Sequence, residues 1–394
     1  MFADRTNWNL EANRLSEVLA RHRAGGKPLL DLSASNPTAC GFDYDRAAIL
    51  QALANPEALA YEPDPRGLES ARRAVAGYYA ARNIVDRFAV THTDVAAEEI
   101  FLTTSTSEAY TYVFRTLCNP GDELLVPEPS YPLFGFLADI QDVRVVRYPL
   151  LYDHGWQIDF HALEQAITPR TRGVIVVHPN NPTGHFCKAQ EMARLNAICA
   201  AREMALIADE VFLDFALGGA TPASFAGNGG ALTFTLSGLS KISGLPQMKA
   251  AWLIASGPDP AKRQALARLE VIADTYLSVN APVQLALPVF LEQRHGFQMQ
   301  LMGRVRKNLA DLDRQVAGQK TCARLDVEGG WYAVLRVPAT RSDEELAIAL
   351  LTEKGVYVHP GHFYDFPADG FLVVSLITPE REFAEGMRRL LAGF

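Results

Sequence analysis

A single lysine, Lys241, lies in a stretch of small, apolar and hydroxyl-bearing residues that runs from 237 to 246. Lysine seldom has such neighbours on a protein surface. Burial among apolar groups makes an amine easier to deprotonate, and an imine-forming nucleophile needs a deprotonated amine. The segment therefore predicts a lysine that forms a covalent bond with a carbonyl compound.

An acid and an amide follow two other apolar runs. Asp209 comes directly after the run 205–208, and a carboxylate buried at the end of a strand needs a cationic partner, such as a protonated ring nitrogen. Asn181 lies in the turn 179–184, which two prolines and a glycine constrain, and its amide can donate to a ligand oxygen. Both residues are candidates for ligand binding.

Ser105, Thr106 and Ser107 stand where a predicted helix begins, and the free backbone N–H groups there favour an anion such as phosphate. Ser105 and Glu108 have the spacing of a capping box, so an ordinary helix cap is the alternative for this segment. Further along the chain, Lys249 adds a positive charge that could meet a phosphate. A solvated lysine at a strand end is the alternative for Lys249.

Around these residues, short apolar runs alternate with helical patterns, which is typical of a parallel sheet covered on both faces. In open sheets of this kind, ligands bind beyond the carboxyl ends of the strands, where the candidate residues lie. We therefore predict an α/β protein whose large domain has a mostly parallel seven-stranded sheet between helices. The predicted strands are 100–103, 123–126, 144–148, 173–178, 205–208, 232–236 and 250–255.

Helical spacing of apolar residues predicts helices over 10–21, 69–82, 108–117, 189–202 and 296–316. After about residue 285 the pattern changes, with predicted strands at 323–327, 331–337 and 371–376 and a helix near 343–353, which indicates a smaller α+β domain. We therefore predict an N-terminal arm and part of the small domain at 1–45, a large domain at 46–285 and a small domain at 286–394.

Composition excludes several classes of protein. The 394 residues exceed what one hydrophobic core usually covers, and 48% hydrophobic with 21% charged residues excludes a disordered chain. The formal net charge of -8 makes nucleic acid an unfavourable partner. No apolar stretch is long enough to span a bilayer and the start resembles no signal peptide, so we expect a cytoplasmic protein. Five scattered cysteines argue against disulfides or zinc, and we expect no metal site.

Together these segments resemble the class I/II, fold type I, pyridoxal-phosphate-dependent aminotransferases, over nearly the whole chain and in the family's order. The turn 179–184 contains the family's Asn-Pro-Thr-Gly sequence. The resemblance implies pyridoxal 5'-phosphate as the cofactor. It also implies that Lys241 forms the Schiff base, that Asp209 pairs with the pyridinium nitrogen, and that Asn181 lies at the cofactor's O3' oxygen.

The same resemblance assigns further residues to the cofactor. It implies a phosphate cup formed by the segment 105–107 and places Tyr131 on the face of the pyridine ring. Tyr61 resembles the tyrosine that reaches across a dimer interface to the neighbouring subunit's phosphate, which implies a homodimer. The remaining cofactor-binding positions are Phe212, Ser240 and Lys249.

The chemistry of the family explains these residue types. An aspartate that keeps the ring nitrogen protonated makes the ring an electron sink for a Cα carbanion. Lys241 would hold the cofactor and then act as general base and acid between Cα and C4'. The implied reaction moves an amino group from a small L-α-amino acid to a 2-oxo acid such as pyruvate or 2-oxoglutarate.

The sequence departs from the family at three positions. Phe212 stands where many members have a tyrosine that donates to O3', and Lys249 stands where many have an arginine on the phosphate. Val373 replaces the arginine that grips the substrate α-carboxylate in most relatives. The candidates for the substrate side are Asn36, Arg336 and Tyr364.

Alternatives remain for several of these assignments. The alternative for Arg336 is that it is exposed on its strand and does not contact the substrate. Trp331, which follows two glycines, is expected in the core. Loss of the arginine favours a fold type I lyase, decarboxylase or cyclase as the enzymatic alternative. A regulatory module would need a DNA-binding segment that the sequence does not show, and a purely structural role would leave the polar residues at strand ends unexplained.

Overall fold

The computed structural model describes residues 1–82, 84–86, 89–91, 93–218, 222–277 and 279–394, with the backbone alone at 84–86 and 89–91. This part of the chain forms twelve α-helices: α1 (Arg14–Ala24), α2 (Arg46–Leu53), α3 (Glu69–Ala80), α4 (Thr106–Leu117), α5 (Phe134–Ile140), α6 (Phe160–Gln165), α7 (Ala189–Ala201), α8 (Leu239–Ile242), α9 (Ala261–Tyr276), α10 (Ala281–Ala317), α11 (Asp343–Ala349) and α12 (Glu380–Leu391). A π-helical turn, Leu350–Lys354, continues α11.

The same part of the chain forms sixteen strands in four sheets. They are β1 (Leu30–Asp31), β2 (Ile84–Asp86), β3 (Ala89–Thr91), β4 (Ile100–Thr103), β5 (Glu123–Glu128), β6 (Arg144–Tyr152), β7 (Trp156–Ile158), β8 (Thr171–Val177), β9 (Ala205–Asp209), β10 (Thr233–Gly238), β11 (Ala251–Ser256), β12 (Ala323–Arg324), β13 (Tyr332–Arg336), β14 (Val356–Tyr357), β15 (His359–Pro360) and β16 (Phe371–Ser375).

The largest sheet has eight strands in the order β4-β11-β10-β9-β8-β5-β6-β7. The strands from β10 to β6 are parallel, whereas β11 runs antiparallel to β10 and to β4, and β7 runs antiparallel to β6. All seven predicted strands are present. The predicted number of strands is wrong by one, because β7 is an eighth strand. It has three residues and folds back after a turn at His154 and Gly155, which both have positive φ, so it is too short to show a periodic pattern.

Helices cover both faces of this sheet. Every residue of β9, β10 and β11 is buried, which explains their almost continuous apolar sequences. Successive residues point to opposite faces, so Leu206 packs in the same cluster as α7, whereas Ile207 packs in the same cluster as α4 and α9. Likewise Trp252 packs with α3 and the first part of α10, on the face opposite to Leu253.

A second, antiparallel sheet has the order β12-β13-β16-β15. Its buried residues share one cluster with α11 and α12, in agreement with the smaller α+β region expected after about residue 285. Near the start of the chain, β1 pairs in parallel with β14. The N-terminal segment therefore packs with the C-terminal part of the protein.

The helix predicted at 296–316 is much longer in the structure, because α10 has 37 residues and begins at Ala281. Asn280 caps it by accepting a hydrogen bond from the Val283 N–H. Pro288 lies inside α10 and weakens the helical signal of its first turns, which explains the late predicted start. The predicted domain boundary at 285–286 falls within this continuous helix. In the described residues, no helix is both long and apolar enough to cross a membrane.

Candidate active site

Three candidate residues lie at the carboxyl ends of neighbouring parallel strands. Asp209 is the last residue of β9, Lys241 lies in α8 directly after β10, and Asn181 lies in the turn after β8. In the sheet, β9 runs between β8 and β10. Because parallel strands end at the same edge, the fold brings the three residues together where sheets of this kind bind ligands.

The amine of Lys241 faces two aromatic rings. Its Nζ lies 5.6 Å from the ring centre of Phe212 and 4.9 Å from that of Trp331. Burial lowers the pKa of Lys241 to about 8, and the negative charge of Asp209 acts against this shift. The lysine is therefore mostly protonated at neutral pH but keeps a fraction of free amine, as a nucleophile requires.

Lys241 also lines a cavity of about 550 Å³. The other described lining residues are uncharged: Ser35, Asn36, Pro37, Thr38, Pro246 and Gln247. A small molecule in this cavity therefore meets Lys241 as the only charged side chain of the described lining.

Asp209 is 7% exposed, and its carboxylate accepts two hydrogen bonds. The Tyr110 hydroxyl donates to Oδ2 at 3.0 Å, and the Val211 N–H donates to Oδ1 at 3.1 Å. Burial raises the pKa of Asp209 to about 6, whereas the two donors and the charge of Lys241 act to lower it. A cation bound beside this carboxylate would lower its pKa further and keep it ionised.

Asn181 is buried, and its Oδ1 has no hydrogen-bond partner among the described residues. The neighbouring Asn180, by contrast, donates to the Pro129 carbonyl at 3.0 Å and to Thr183 Oγ1 at 2.9 Å, and it accepts from Ser130 Oγ at 2.9 Å. One amide therefore makes the turn rigid. The other has no partner for its oxygen among the described residues, so it can accept from a donor on a ligand while its NH2 group donates.

The helix α4 begins at the predicted phosphate cup. Ser105 is its N-cap and accepts a hydrogen bond from the Glu108 N–H at 3.2 Å, so the capping alternative describes this side chain correctly. Thr106 and Ser107 are the first two helical residues, and N–H groups at these positions have no partner within a helix. They are therefore suited to bind an anion.

Tyr131 and Phe212 also lie near the strand ends. Tyr131 is 36% exposed, and its ring contacts Phe134 edge-on with 6.1 Å between the ring centres. The pKa of Tyr131 is raised by burial and then by the charge of Asp209, which places its hydroxyl within the field of that carboxylate. Phe212 is buried, and its ring stands nearly perpendicular to that of Trp331 with 4.9 Å between the centres.

The other cofactor candidates differ in exposure. Ser240 is partly buried beside Lys241. Lys249 is exposed and has a left-handed backbone conformation, with φ of 52°. Tyr61 is 80% exposed and lines an open groove of about 770 Å³, whose lining does not include Lys241. A single protomer therefore leaves Tyr61 facing outward.

Of the three substrate candidates, Asn36 lies at the pocket, whereas Tyr364 is buried and is not among the described lining residues. Asn36 lines the Lys241 cavity, and its Oδ1 accepts hydrogen bonds from the backbone N–H and the hydroxyl of Thr38, at 3.1 and 2.8 Å. The hydroxyl of Tyr364 lies 3.0 Å from His359 Nδ1, within hydrogen-bond distance. The ring centre of Tyr364 is 6.4 Å from that of Tyr332.

The third candidate, Arg336, is not brought to the pocket. It is the exposed last residue of β13, and its guanidinium lies 6.0 Å from the ring centre of Phe371. Trp331, which contacts Lys241, precedes that strand, and five residues of extended chain span about 16 Å. The predicted contact of Arg336 with the substrate carboxylate is therefore corrected, and the exposed-strand alternative describes this residue.

One site residue, Tyr110, was given no role by the sequence. Its partner Asp209 is 99 residues away along the chain, so no local spacing links the two. The only signal is that Tyr110 lies three residues after Ser107 and therefore on the same face of α4.

The expectation for Trp331 was incomplete. It is fully buried, as expected, but its ring also contacts the amine of Lys241. The available signal was the glycine pair before it, since a side chain at Gly329 would collide with the ring of Phe186. The absence of a side chain at Gly329 lets this segment approach Phe186 and the Phe215 carbonyl closely, which brings Trp331 to Lys241.

Residues 27–390 match the family model for aminotransferases of class I and II. The chain belongs to this family. The aminotransferase is 28% identical over 378 residues to the glutamate-pyruvate aminotransferase AlaA of Escherichia coli K12, covering 93% of this chain and 89% of that protein. It is 29% identical over 383 residues to an alanine aminotransferase of Mycobacterium tuberculosis, covering 94% and 86%.

Solved structures have the same fold as this aminotransferase. The alanine aminotransferase of Pyrococcus furiosus superposes with a TM-score of 0.86 at 21% identity, covering 99% of this chain and 98% of that one. A mutant of the Thermus thermophilus aspartate aminotransferase superposes with a TM-score of 0.84 at 21% identity, covering 100% of both chains. The fold type I architecture expected from the sequence is therefore confirmed.

The aminotransferase depends on pyridoxal 5'-phosphate, and its own residues fit this group. The buried carboxylate of Asp209 suits a protonated ring nitrogen, the NH2 group of the buried Asn181 can donate to a ring oxygen, and the start of α4 suits a phosphate. When bound, the cofactor supplies an electron sink for the electrons released at the Cα of an amino acid.

Proposed function

We propose that this aminotransferase moves an amino group from a small L-α-amino acid to a 2-oxo acid, with Lys241 as the residue that binds the cofactor covalently and carries the proton. The observation that supports this most directly is the position of the Lys241 amine, at the wall of an open cavity beside the buried carboxylate of Asp209. An amine with a pKa of about 8 can both accept and return a proton near neutral pH.

The roles of the other residues follow from their surroundings. We propose that Asp209 holds the ring nitrogen in its protonated form, because Tyr110 and Val211 fix both carboxylate oxygens. The NH2 group of Asn181 would donate to the ring oxygen, and Phe212, which has no hydroxyl, cannot add a second donor. The remaining proposed contacts to the cofactor are the segment 105–107, Tyr131, Ser240 and Lys249.

The cavity supports a small, uncharged side chain on the substrate. A second carboxylate would need a cation to replace its lost hydration, and the described lining supplies no cation except Lys241. The names of two relatives, an alanine and a glutamate-pyruvate aminotransferase, favour alanine as the first donor to test. We propose that Asn36 and Tyr364 hydrogen-bond the α-carboxylate, since the described lining of the cavity contains no arginine.

We also propose a homodimer, in which Tyr61 contacts the phosphate in the site of the other subunit. The groove beside Tyr61 is open, and large apolar side chains around it are exposed, with Leu59 at 93% and Leu277 at 62%. An apolar surface of this kind is covered in stable assemblies. A second copy of the chain is the occupant that gives exposed Tyr61 a function.

The first experiment follows the visible absorbance of the cofactor-loaded protein. A panel of L-amino acids should convert the lysine-bound cofactor to its aminated form, and a panel of 2-oxo acids should restore it. Alanine and pyruvate are expected among the most effective substrates. Turnover of an amino acid without any oxo acid would instead indicate a lyase, decarboxylase or cyclase and refute the proposed reaction.

A hybrid experiment tests the shared site. Lys241→Ala and Tyr61→Ala should each be poorly active alone. If each site combines Lys241 of one subunit with Tyr61 of the other, a mixed dimer has one complete site. Mixing the two variants after dissociation should then restore up to half of the wild-type activity per hybrid. A fully active monomer on gel filtration, or mixing without recovery under conditions of proven subunit exchange, would remove Tyr61 from the site.

A further inference from the structure

Two aromatic rings form a corner around the Lys241 amine. The ring centres of Trp331 and Phe212 lie 4.9 and 5.6 Å from Nζ, and the ring planes meet at 80°. Both distances are within the range in which an ammonium ion is attracted to an aromatic face. Neither side chain has an oxygen atom that could accept a hydrogen bond from the amine.

Trp331 is held rigidly in this position. Its carbonyl accepts a hydrogen bond from the Leu376 N–H at 2.8 Å, and the preceding Gly330 donates to the Phe215 carbonyl at 2.9 Å. The ring of Phe215 also packs on Trp331, with 5.5 Å between the centres. The indole is therefore fixed by the small sheet on one side and by the segment after Asp209 on the other.

We propose that Trp331 is a positioning residue that, with Phe212, stabilises the ammonium ion that the released Lys241 amine becomes when it accepts a proton. This deepens the proposed function and rests on its assignment of Lys241. During amino transfer the released lysine must take a proton from the substrate carbon and return it to another atom. A π face stabilises the charge without fixing the direction of an N–H bond, so the amine can turn between the two positions.

Two other influences act on the same amine. Burial disfavours the ammonium form, and the charge of Asp209 favours it. The two rings add a second favourable contribution that depends on their π-electron density rather than on a formal charge. A change in the π-electron density of the rings at constant volume therefore changes their contribution to the pKa of Lys241 and leaves the contributions of burial and Asp209 unchanged.

Fluorinated tryptophan supplies that change. The full-length chain has four tryptophans, and all can be replaced biosynthetically by mono-, di- and trifluorotryptophan. Fluorine withdraws electron density from the ring face and alters the side-chain volume little. In the full-length chain freed of cofactor, trace acetylation across a pH series, with the Lys241 peptide quantified by mass spectrometry, gives the apparent pKa of this amine.

The expected pKa of Lys241 is about 8 in the unlabelled chain. It should fall with each fluorine, by roughly half a pH unit in total, because the attraction between ring and ammonium weakens. Trp331→Phe is the matched control: it keeps a ring at the site, and fluorination of Trp8, Trp156 and Trp252 should then leave Lys241 unchanged.

An apparent pKa that stays constant across the fluorine series would overturn the proposal, and so would an equal fall in Trp331→Phe. The unlabelled chain reloaded with pyridoxal 5'-phosphate provides a separate reading. If it shows no absorbance of a lysine-bound cofactor, the assignment of Lys241 itself fails. If that absorbance is present while fluorination has no effect, only the role of Trp331 fails.

Discussion

On the side of the large sheet, the site has two charged groups, Lys241 at the cavity and the buried Asp209 near it, whose surroundings are fixed. Asp209 is buried and accepts hydrogen bonds from Tyr110 and Val211. On the side of the small sheet, the residues considered for the substrate carboxylate are the hydroxyl of Tyr364 and its partner imidazole of His359, and Val373 is 1% exposed. There, Tyr364 pairs with His359 instead of a guanidinium.

This difference corresponds to two kinds of binding. A cofactor with a cationic ring needs a fixed negative charge, and a buried carboxylate with two donors supplies it at low reorganisation cost. A substrate held by neutral hydroxyls and amides gains about 1 kcal/mol per hydrogen bond. We therefore expect large effects from substitutions on the first side and moderate effects on the second.

Lys241→Ala should have the largest effect on the charged side. Loss of the covalent contact and of the proton carrier should lower kcat about 10³-fold or more, and the visible absorbance of the lysine-bound cofactor should disappear. Lys188→Ala is the control, since Lys188 pairs with Glu328 at the surface and should keep both properties. An intact absorbance in Lys241→Ala would contradict the assignment.

Asp209→Asn should lower kcat about 10²-fold, because the amide keeps the shape but loses the charge that holds the ring nitrogen protonated. Tyr110→Phe removes one of the two donors and should lower kcat about five- to tenfold. Tyr148→Phe loses a buried hydrogen bond to the Ile175 carbonyl elsewhere in the sheet and serves as the control. Equal kcat values for Tyr110→Phe and Tyr148→Phe would show that the Asp209 contact is structural.

The attachment of the cofactor to the full-length cofactor-free chain should depend on pH. Burial lowers the pKa of Lys241 to about 8, and the attacking species is the deprotonated amine, whose fraction increases with pH. The second-order rate, followed by stopped-flow absorbance, should rise about tenfold from pH 6 to pH 7 and level off above pH 8. A midpoint near that of an ordinary exposed lysine would show that the amine is not buried.

Tyr364→Phe should have the smallest effect, on the uncharged side. Loss of one hydroxyl should raise the KM for the amino acid about five- to tenfold and leave kcat nearly unchanged. Arg336→Ala should change KM less than twofold, since Arg336 is exposed and lies against Phe371. A larger rise in KM for Arg336→Ala than for Tyr364→Phe would show that Arg336 binds the substrate carboxylate. Both sides of the pocket would then use charged residues.

Much of the charged side was predictable because the signals are local. Asp209 ends the buried strand β9, Asn181 lies in the turn after β8, and Lys241 follows β10 within one turn of helix. Once the order of elements predicted a parallel sheet, the carboxyl ends of the strands had to meet at one edge. The sequence alone therefore predicts that the residues at these ends lie near one another.

The sequence by itself determined the α/β architecture, seven of the eight strands of the large sheet and the lysine, aspartate and asparagine at their ends. The tertiary structure decided that Tyr110 meets Asp209, that Trp331 meets Lys241 and that Arg336 stays outside the pocket. These three outcomes depend on contacts between residues far apart in sequence, whose distances are set by packing. Hydrophobic periodicity reports only which side of one element is buried, and it carries no information about the element packed against it.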